Sequence, residues 1–283
     1  MNENSPSQPT INDWLVWASE QLAAAGIPSA KLDAEVLLAH TLRQSRTWLH
    51  AHSDDILDSR TVDIARARID LRLDRVPVAY IVGHKEFYGY QFKVTTATLI
   101  PRPESEVLID LFKSIAVPTN PSPETPYRVV DVGTGSGSLG IVIKLISPSS
   151  EVTLLDNDRY ALAVAEKNSE ALKADVSLIE SDLLENYPHV ANVIIANLPY
   201  VDKSWERSPE TDHEPAAALF ADDNGLALIK QLIKQTRIKL MQGGYLILEA
   251  DPEQHGAIVK EAANEGLILA KNEGYGLLFE KLR

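Results

Sequence analysis

The chain has 283 residues, 45% hydrophobic and 24% charged, with a formal net charge of −13 and no cysteine. That length exceeds what one hydrophobic core usually supports, so two domains of unequal size are expected, and the absence of cysteine excludes disulfides, thiolate zinc sites and iron–sulfur clusters. The acidic balance weighs against stable nucleic-acid binding, which draws on clustered Lys and Arg, and no apolar run is long enough to span a bilayer.

Met1 to Thr10 reads as a frayed tail, and the first thirty residues carry no secretion signal, so a cytoplasmic protein is expected. From Thr10 to about Ile81 the apolar residues recur three and four apart, in WLVWASEQLAAAG, in KLDAEVLLAHTL and from Ser59 to Leu73. Gly26 ends the first of these helices and Ser29 caps the next. Arg60 to Arg75 holds five arginines interleaved with three aspartates, the pattern of a solvated helix face.

Between Glu86 and Leu99 the period changes to strict alternation, with Gly89-Tyr90 as the turn of a hairpin. A helix follows over Glu104 to Ala116, and VPTNPSPETP, with four prolines, is an exposed loop. Beyond it strands and helices alternate: YRVVDVG, GSLGIVIKLI, EVTLLD, YALAVAEKNSEAL, VSLIES and VANVIIANLPY. The strands are continuously apolar, so the fold class is α/β with a mostly parallel sheet covered on both faces. GGYLILEA and GYGLLFEKL add strands that include an antiparallel edge.

Gly133-Thr134-Gly135-Ser136-Gly137 follows an apolar strand and opens a helix, where glycines let the backbone turn sharply against a ligand. The third glycine of a dinucleotide fingerprint is missing, since Ser138 stands there, so a pyrophosphate is not implied. Asp156 ends the next strand, where a carboxylate accepts from both hydroxyls of a ribose. The bland alternative is a tight turn with Asp156 capping the following helix. Asp182, ending the third strand, either accepts from an adenine amine with Leu183 against the ring or caps a helix.

Asn197-Leu198-Pro199-Tyr200 follows the strand NVIIA at its carboxyl end, where open α/β sheets bind ligands. A carboxamide or ring-attached amine is a poor nucleophile because its lone pair is delocalised, so a catalyst must hold the NH₂ group and aim it. The Asn197 side-chain oxygen and the Leu198 carbonyl can each accept one NH₂ hydrogen while Tyr200 packs on the planar group. As a bland alternative the same four residues make a surface turn. The seven histidines form no ligand-spaced cluster, and no metal is expected.

These motifs together resemble the family of N5-glutamine methyltransferases of the HemK/PrmC type that act on peptide chain release factors. The likeness runs through LDAEVLLAHTL, RVPVAYIVGHKEFYG, LIPRPESE, DVGTGSG, LLDND and HEPAAALFADDNGL, nearly the whole chain. It implies a Rossmann-like class I methyltransferase domain with a seven-stranded, mostly parallel sheet and an antiparallel edge. It also implies a division into a helical substrate-recognition domain (1–84), a hairpin linker (85–100) and a catalytic domain (101–283). By that resemblance Gly133, Thr134, Gly135, Ser136, Gly137, Asp156, Leu183 and Asn197 would contact S-adenosyl-L-methionine, which leaves as S-adenosyl-L-homocysteine, and the adenine reading of Asp182 adds it to that set. Asn197, Leu198, Pro199 and Tyr200 would hold the glutamine, with Arg102 and Glu104 on the substrate side and a release factor as protein partner of a monomeric enzyme.

The sequence departs from the family pattern at Leu198, where proline is usual, at Ser105 for threonine, at Ala221 for glycine, and in a last strand lacking Gly-Arg-Asp. Leu198 is still held extended by Pro199, but Asn197 loses that restriction, so slowed transfer is expected. Other acceptors consistent with the same logic are a ribosomal-protein glutamine and adenine or cytosine in nucleic acid. A non-catalytic release-factor-binding protein is the alternative from a different class.

Overall fold

The computed structural model describes residues 8–119, 122 and 124–282. Most of the expected N-terminal tail and three positions of the proline-rich loop lie outside the described residues. No helix among the described residues is long and apolar enough to cross a membrane. The chain divides into two compact units, one of residues up to Gly83 together with Ser208–His213, the other of His84–Arg207 and Glu214–Arg283.

The first unit contains α1 (Ile11–Ala24), α2 (Ala30–Leu42), α3 (Arg46–Ala51), α4 (Ser59–Leu73) and α5 (Val78–Val82). The two extra helices, α3 and α5, are too short for a 3.6-residue period to show in sequence. Trp14, Ala18 and Leu22 recur at helical spacing on α1 and are buried with Leu37, Leu38, Leu49 and Ile69. Each such large side chain contributes roughly 1.5–3 kcal/mol on burial. Thr10 and Asp13 form a reciprocal cap at the start of α1, and Gly26 turns the chain out of it at φ +71°. Ser29 precedes α2 as expected, but its hydroxyl donates to Asp33 Oδ2 at 2.8 Å and does not cap the backbone.

The reading of α4 as a solvated face fails at Arg72, which is 5% exposed. Its Nε donates to Asp33 Oδ2 at 2.8 Å and its Nη2 to Glu210 Oε1 at 2.9 Å. Arg75 Nη1 reaches the same Glu210 oxygen at 3.4 Å, and His213 Nε2 donates to the Asp74 carbonyl at 2.8 Å. A buried guanidinium needs such partners, and the turn Pro209–His213 supplies one of them.

The second unit begins with the antiparallel hairpin of β1 (His84–Phe87) and β2 (Tyr90–Lys93). Its turn is Tyr88-Gly89, one position earlier than expected, because both residues take positive φ, +51° and +81°. That pair of left-handed residues matches the twist of a two-residue hairpin loop. The expected helix from Glu104 is a tight 3₁₀ turn over Pro103–Ser105 followed by α6 (Glu106–Lys113).

The seven-stranded sheet comprises β3 (Arg128–Val132), β4 (Glu151–Asp156), β5 (Ser177–Glu180), β6 (Ala191–Ala196), β7 (Leu240–Glu249), β8 (Leu267–Glu273) and β9 (Gly276–Lys281). They lie in the order β5-β4-β3-β6-β7-β9-β8, parallel except that β9 runs against β7 and β8. This is the expected α/β sheet with its antiparallel edge. The helices are α7 (Ser138–Ile146), α8 (Arg159–Leu172), α9 (Ala216–Leu219), α10 (Ala227–Lys239) and α11 (His255–Asn264). Alternate strand residues feed opposite cores: Val130, Val132 and Ile194 one, Val129, Val193 and Ile195 the other. Burial on both faces is why these strands are continuously apolar. The strand order reverses at β3, which pairs with β4 on one side and β6 on the other. Open α/β sheets bind ligands at such a switch point, beyond the carboxyl ends of the strands.

Candidate active site

Gly133, Gly135 and Gly137 leave β3 with φ of +70°, +54° and +82°, the left-handed region that side chains avoid. A Cβ at Gly133 would come within 2.8 Å of Leu198 Cδ2, so this glycine is needed for close approach of the Asn197–Tyr200 segment. Gly135 faces open space, with nothing within 4 Å of such a Cβ. Thr134 N donates to the Leu155 carbonyl at 2.9 Å, and Gly135 N to Asp156 Oδ2 at 2.8 Å, which ties the loop to the end of β4.

The loop rests on Asp131, which is 1% exposed and accepts at Oδ2 from the Thr134 hydroxyl at 2.6 Å and from Gly140 N at 2.9 Å. Burial raises its carboxyl to about 6, against those two hydrogen bonds. Its Oδ1 is buried without a partner among the described residues. Asp156 is also raised by burial, opposed by bonds from the Asp158 and Gly135 N–H groups. The helix-cap alternative for Asp156 is not realised, because Asp158 caps α8 by accepting from Tyr160 N. After Asp182 the chain forms a turn and not a helix, so it caps none either. Leu183 is buried at φ +47°, a strained position for a leucine.

One cavity collects these residues. Its walls are the Gly133–Ser136 backbone, Asp156, Asp182 and Leu183 on one side and Asn197, Leu198, Pro199 and Arg102 on another. Gly137, Glu104 and Tyr200 are not on its wall. Gly137 instead opens α7, where a Cβ would meet Ile141 Cδ1 at 2.7 Å. Glu104 is exposed.

Asn197 Nδ2 donates to Ser105 Oγ at 2.9 Å, so the acceptor Oδ1 is the end of the amide turned away from that contact. Leu198 is 4% exposed and belongs to the core beneath the loop. Tyr200 OH donates to Glu249 Oε1 at 3.0 Å, and its carbonyl accepts from Gln254 Nε2 at 2.8 Å. Burial and the neighbouring Glu249 carboxylate push the Tyr200 phenol well above its ordinary value, so it stays a donor.

Several contacts of this site were not legible in the sequence, and Glu249 falls in none of the motifs. Glu249, 2% exposed, ends β7 beside the Asn197–Tyr200 segment; its one clue is its place after an apolar strand. Glu214 is buried, accepts from Ile100 N at 3.1 Å and pairs with Arg102. The Arg-Pro-Glu segment and the block containing Glu214 are thus one structural feature. Gly225, at φ +82°, passes so close to Tyr200 that a Cβ would lie 1.9 Å from its carbonyl oxygen.

Sequence relatives place the chain among the methyltransferases, and the fold agrees. The family described as "Methyltransferase small domain" matches residues 105–214, and a methyltransferase from Pyrococcus furiosus shares the fold with a TM-score of 0.52 at 17% identity. That likeness covers 77% of this chain and 98% of that one. The family described as "PrmC N-terminal domain" matches residues 13–83. The release factor glutamine methyltransferase of Deinococcus radiodurans is 33% identical over 258 residues, 90% of this chain and 91% of that protein. Its Escherichia coli counterpart is 33% identical over 261 residues, 91% and 90% respectively. The chain belongs to the release factor glutamine methyltransferase family.

Proposed function

We propose that this protein transfers a methyl group from S-adenosyl-L-methionine to the side-chain amide nitrogen of a glutamine in a peptide chain release factor, in the cytoplasm. The observation that carries the reading is the Asn197 amide, anchored through Nδ2 with its oxygen turned away from Ser105, on the wall of the cavity bounded by the glycine loop. A neighbour of the same fold, a 16S rRNA guanine methyltransferase from T. thermophilus, was solved with AdoMet and guanosine; it is 17% identical with a TM-score of 0.50 over 71% of this chain and 50% of that one.

The residues fit the cofactor. The loop at Gly135 leaves open space, and Asp156 stands at the end of β4 on the cavity wall to accept from ribose hydroxyls. Leu183 and Asp182 would take the adenine. When bound, the cofactor supplies an electrophilic methyl group on a sulfonium, so no metal or covalent nucleophile is needed.

What the chain's own residues do is orient. Asn197 Oδ1 and the Leu198 carbonyl each accept one hydrogen of the glutamine NH₂, which twists nothing and aims the nitrogen at the methyl carbon. Tyr200 stands off the cavity wall, held through its hydroxyl by Glu249, and steadies the segment that carries Asn197 and Leu198. With the cofactor bound, these residues would hold the nitrogen in line with the methyl group it supplies, and the proton the nitrogen gives up would pass to solvent. Arg102 and Glu104 belong to the segment that meets the substrate chain, and the helical N-terminal unit recognises the release factor.

The test is methyl transfer from labelled S-adenosyl-L-methionine to a purified release factor, with a duplex DNA control. Mass spectrometry should place the methyl on a glutamine. Loss in Asn197→Ala with cofactor binding retained supports the reading; no transfer by the wild-type protein overturns it.

A further inference from the structure

An amide side chain offers a donor at one end and an acceptor at the other, and a half-turn about its last torsion exchanges them. Only the oxygen end of Asn197 can receive a substrate N–H, so something must forbid the flipped state. Ser105 alone cannot, because a hydroxyl both donates and accepts and would satisfy either end of the amide. The decision falls to whatever takes the Ser105 hydroxyl hydrogen.

Glu249 is placed to take it. Its carboxyl ends β7 at 2% exposure, Oε1 already accepts from Tyr200 OH, and Oε2 is buried without a hydrogen-bond partner among the described residues, free to accept one. Burial raises the Glu249 carboxyl and Glu104 adds to the rise; the hydroxyl of Ser105, itself 3% exposed, with the Tyr200 hydroxyl and the Asn197 amide, works the other way and favours the charged form. An ionised carboxylate only accepts. With Glu249 at the end of the chain, hydrogens run one way: Asn197 Nδ2 to Ser105 Oγ, the Ser105 hydroxyl toward Glu249, and Tyr200 to Glu249 from the other side. Ser105 is left to Asn197 as an acceptor, and the Asn197 oxygen is left to the ligand.

We propose that Ser105 and Glu249 are positioning residues for methyl transfer, Glu249 setting the direction of a hydrogen-bond chain through Ser105 that holds the Asn197 oxygen toward the acceptor nitrogen and fixes Tyr200 beside it. The proposal rests on the reading of Asn197 given under the proposed function. Both residues act through Asn197 and Tyr200, so their loss should appear in turnover and not in cofactor affinity. Their partners are not legible in sequence: Ser105 and Asn197 lie 92 positions apart, and Tyr200 and Glu249 lie 49 apart.

The experiment compares wild type with Ser105→Ala, Ser105→Thr and Glu249→Gln, measuring kcat and KM for a release factor, cofactor affinity by calorimetry, and thermal melting. Ser105→Ala and Glu249→Gln should each lower kcat about tenfold, the worth of one misdirected hydrogen bond, with cofactor Kd within about twofold. Ser105→Thr, which keeps the hydroxyl, should recover most of the rate. In an Asn197→Ala background, Ser105→Ala should cost nothing further. A wild-type kcat in Ser105→Ala, a threonine variant as slow as the alanine, or losses that follow Kd and melting temperature would each overturn the proposal.

Should wild type transfer nothing to a release factor, the proposed function falls, and the hydrogen-bond chain is still read by NMR of the cofactor-bound protein. The two Asn197 side-chain amide hydrogens should be widely separated in shift in wild type and Ser105→Thr, and collapse toward free-amide values in Ser105→Ala and Glu249→Gln. Identical spectra in all four proteins would overturn the positioning role by itself.

Discussion

Arg72 and Glu210 are joined by a 2.9 Å hydrogen bond across 138 positions of sequence, and the guanidinium that makes it is almost wholly buried. The same arginine meets Asp33 at 2.8 Å, so one cation pairs with two carboxylates, one from α2 and one from the segment that follows Tyr200 in the chain, and Arg75 shares the second. With Arg75 to Glu210 and His213 to the Asp74 carbonyl, this pairing ties Ser208–His213 to the helical unit.

Removing Arg72 therefore leaves Asp33 buried and unpaired. Arg72→Ala is expected to cost about 3–5 kcal/mol, the usual penalty for breaking a buried ion pair by one partner. Glu210 is more accessible, and Glu210→Gln, which keeps a hydrogen-bond acceptor, should cost about 1 kcal/mol. Urea denaturation of the three proteins checks the ranking; equal costs would refute it.

Asp131 makes stability depend on pH in a stated direction. Its carboxyl is raised by burial to about 6 in the folded protein, above the value near 4 of an unfolded chain, so the native state holds the extra proton between the two. The stabilisation is complete below about pH 4 and is lost as pH rises through about 6, a change of about 3 kcal/mol. Asp131→Asn should remove that slope, seen as the difference between the two proteins' denaturation free energies at pH 4.5 and 7.5. Parallel pH profiles would contradict it.

Gly225 and Gly135 both sit at positive φ but differ in surroundings. Gly225→Ala must displace the Tyr200 carbonyl, 1.9 Å from the new Cβ, so both stability and turnover should fall, the backbone strain alone costing about 1–3 kcal/mol. Gly135→Ala meets open space, and its methyl would intrude on the cofactor cavity, so stability should change by only about 1 kcal/mol while cofactor affinity drops. Melting curves with and without cofactor distinguish the two.

Leu198 fills the space against Gly133 and is 4% exposed. Leu198→Ala should destabilise by about 2–5 kcal/mol and loosen the glycine loop, measured as a lower midpoint in urea together with weaker cofactor binding. A change in turnover alone would mean that the residue acts only through its backbone.

Much of the fold and part of the site were legible from the residues alone. The continuous apolar strands VVDV and NVIIA could only be buried on both faces, and the glycines after the first and Asn197 after the second mark strand ends whatever the rest of the chain does. The α1 and α4 periods announced themselves as helices. What stayed hidden was of two kinds. The helices α3 and α5 are shorter than two turns, so no period could develop. The hairpin turn fell at Tyr88-Gly89, because a two-residue loop requires left-handed geometry at both positions, which a tyrosine rarely advertises.

The sequence by itself determined the α/β class, the glycine loop and the Asn197–Tyr200 segment, because each depends on residues close in the chain and on the local geometry they permit. Only the tertiary structure decided what stands behind them. The order β5-β4-β3-β6-β7 brings the end of β7 next to the end of β6, and so Glu249 to Tyr200; the turn before α6 brings Ser105 to Asn197. A lone glutamate ending a strand has no pattern of its own, and the serine of LIPRPESE gives no sign in the sequence of the residue it will meet. Their meaning comes from burial and from the hydrogen bonds that burial obliges them to make.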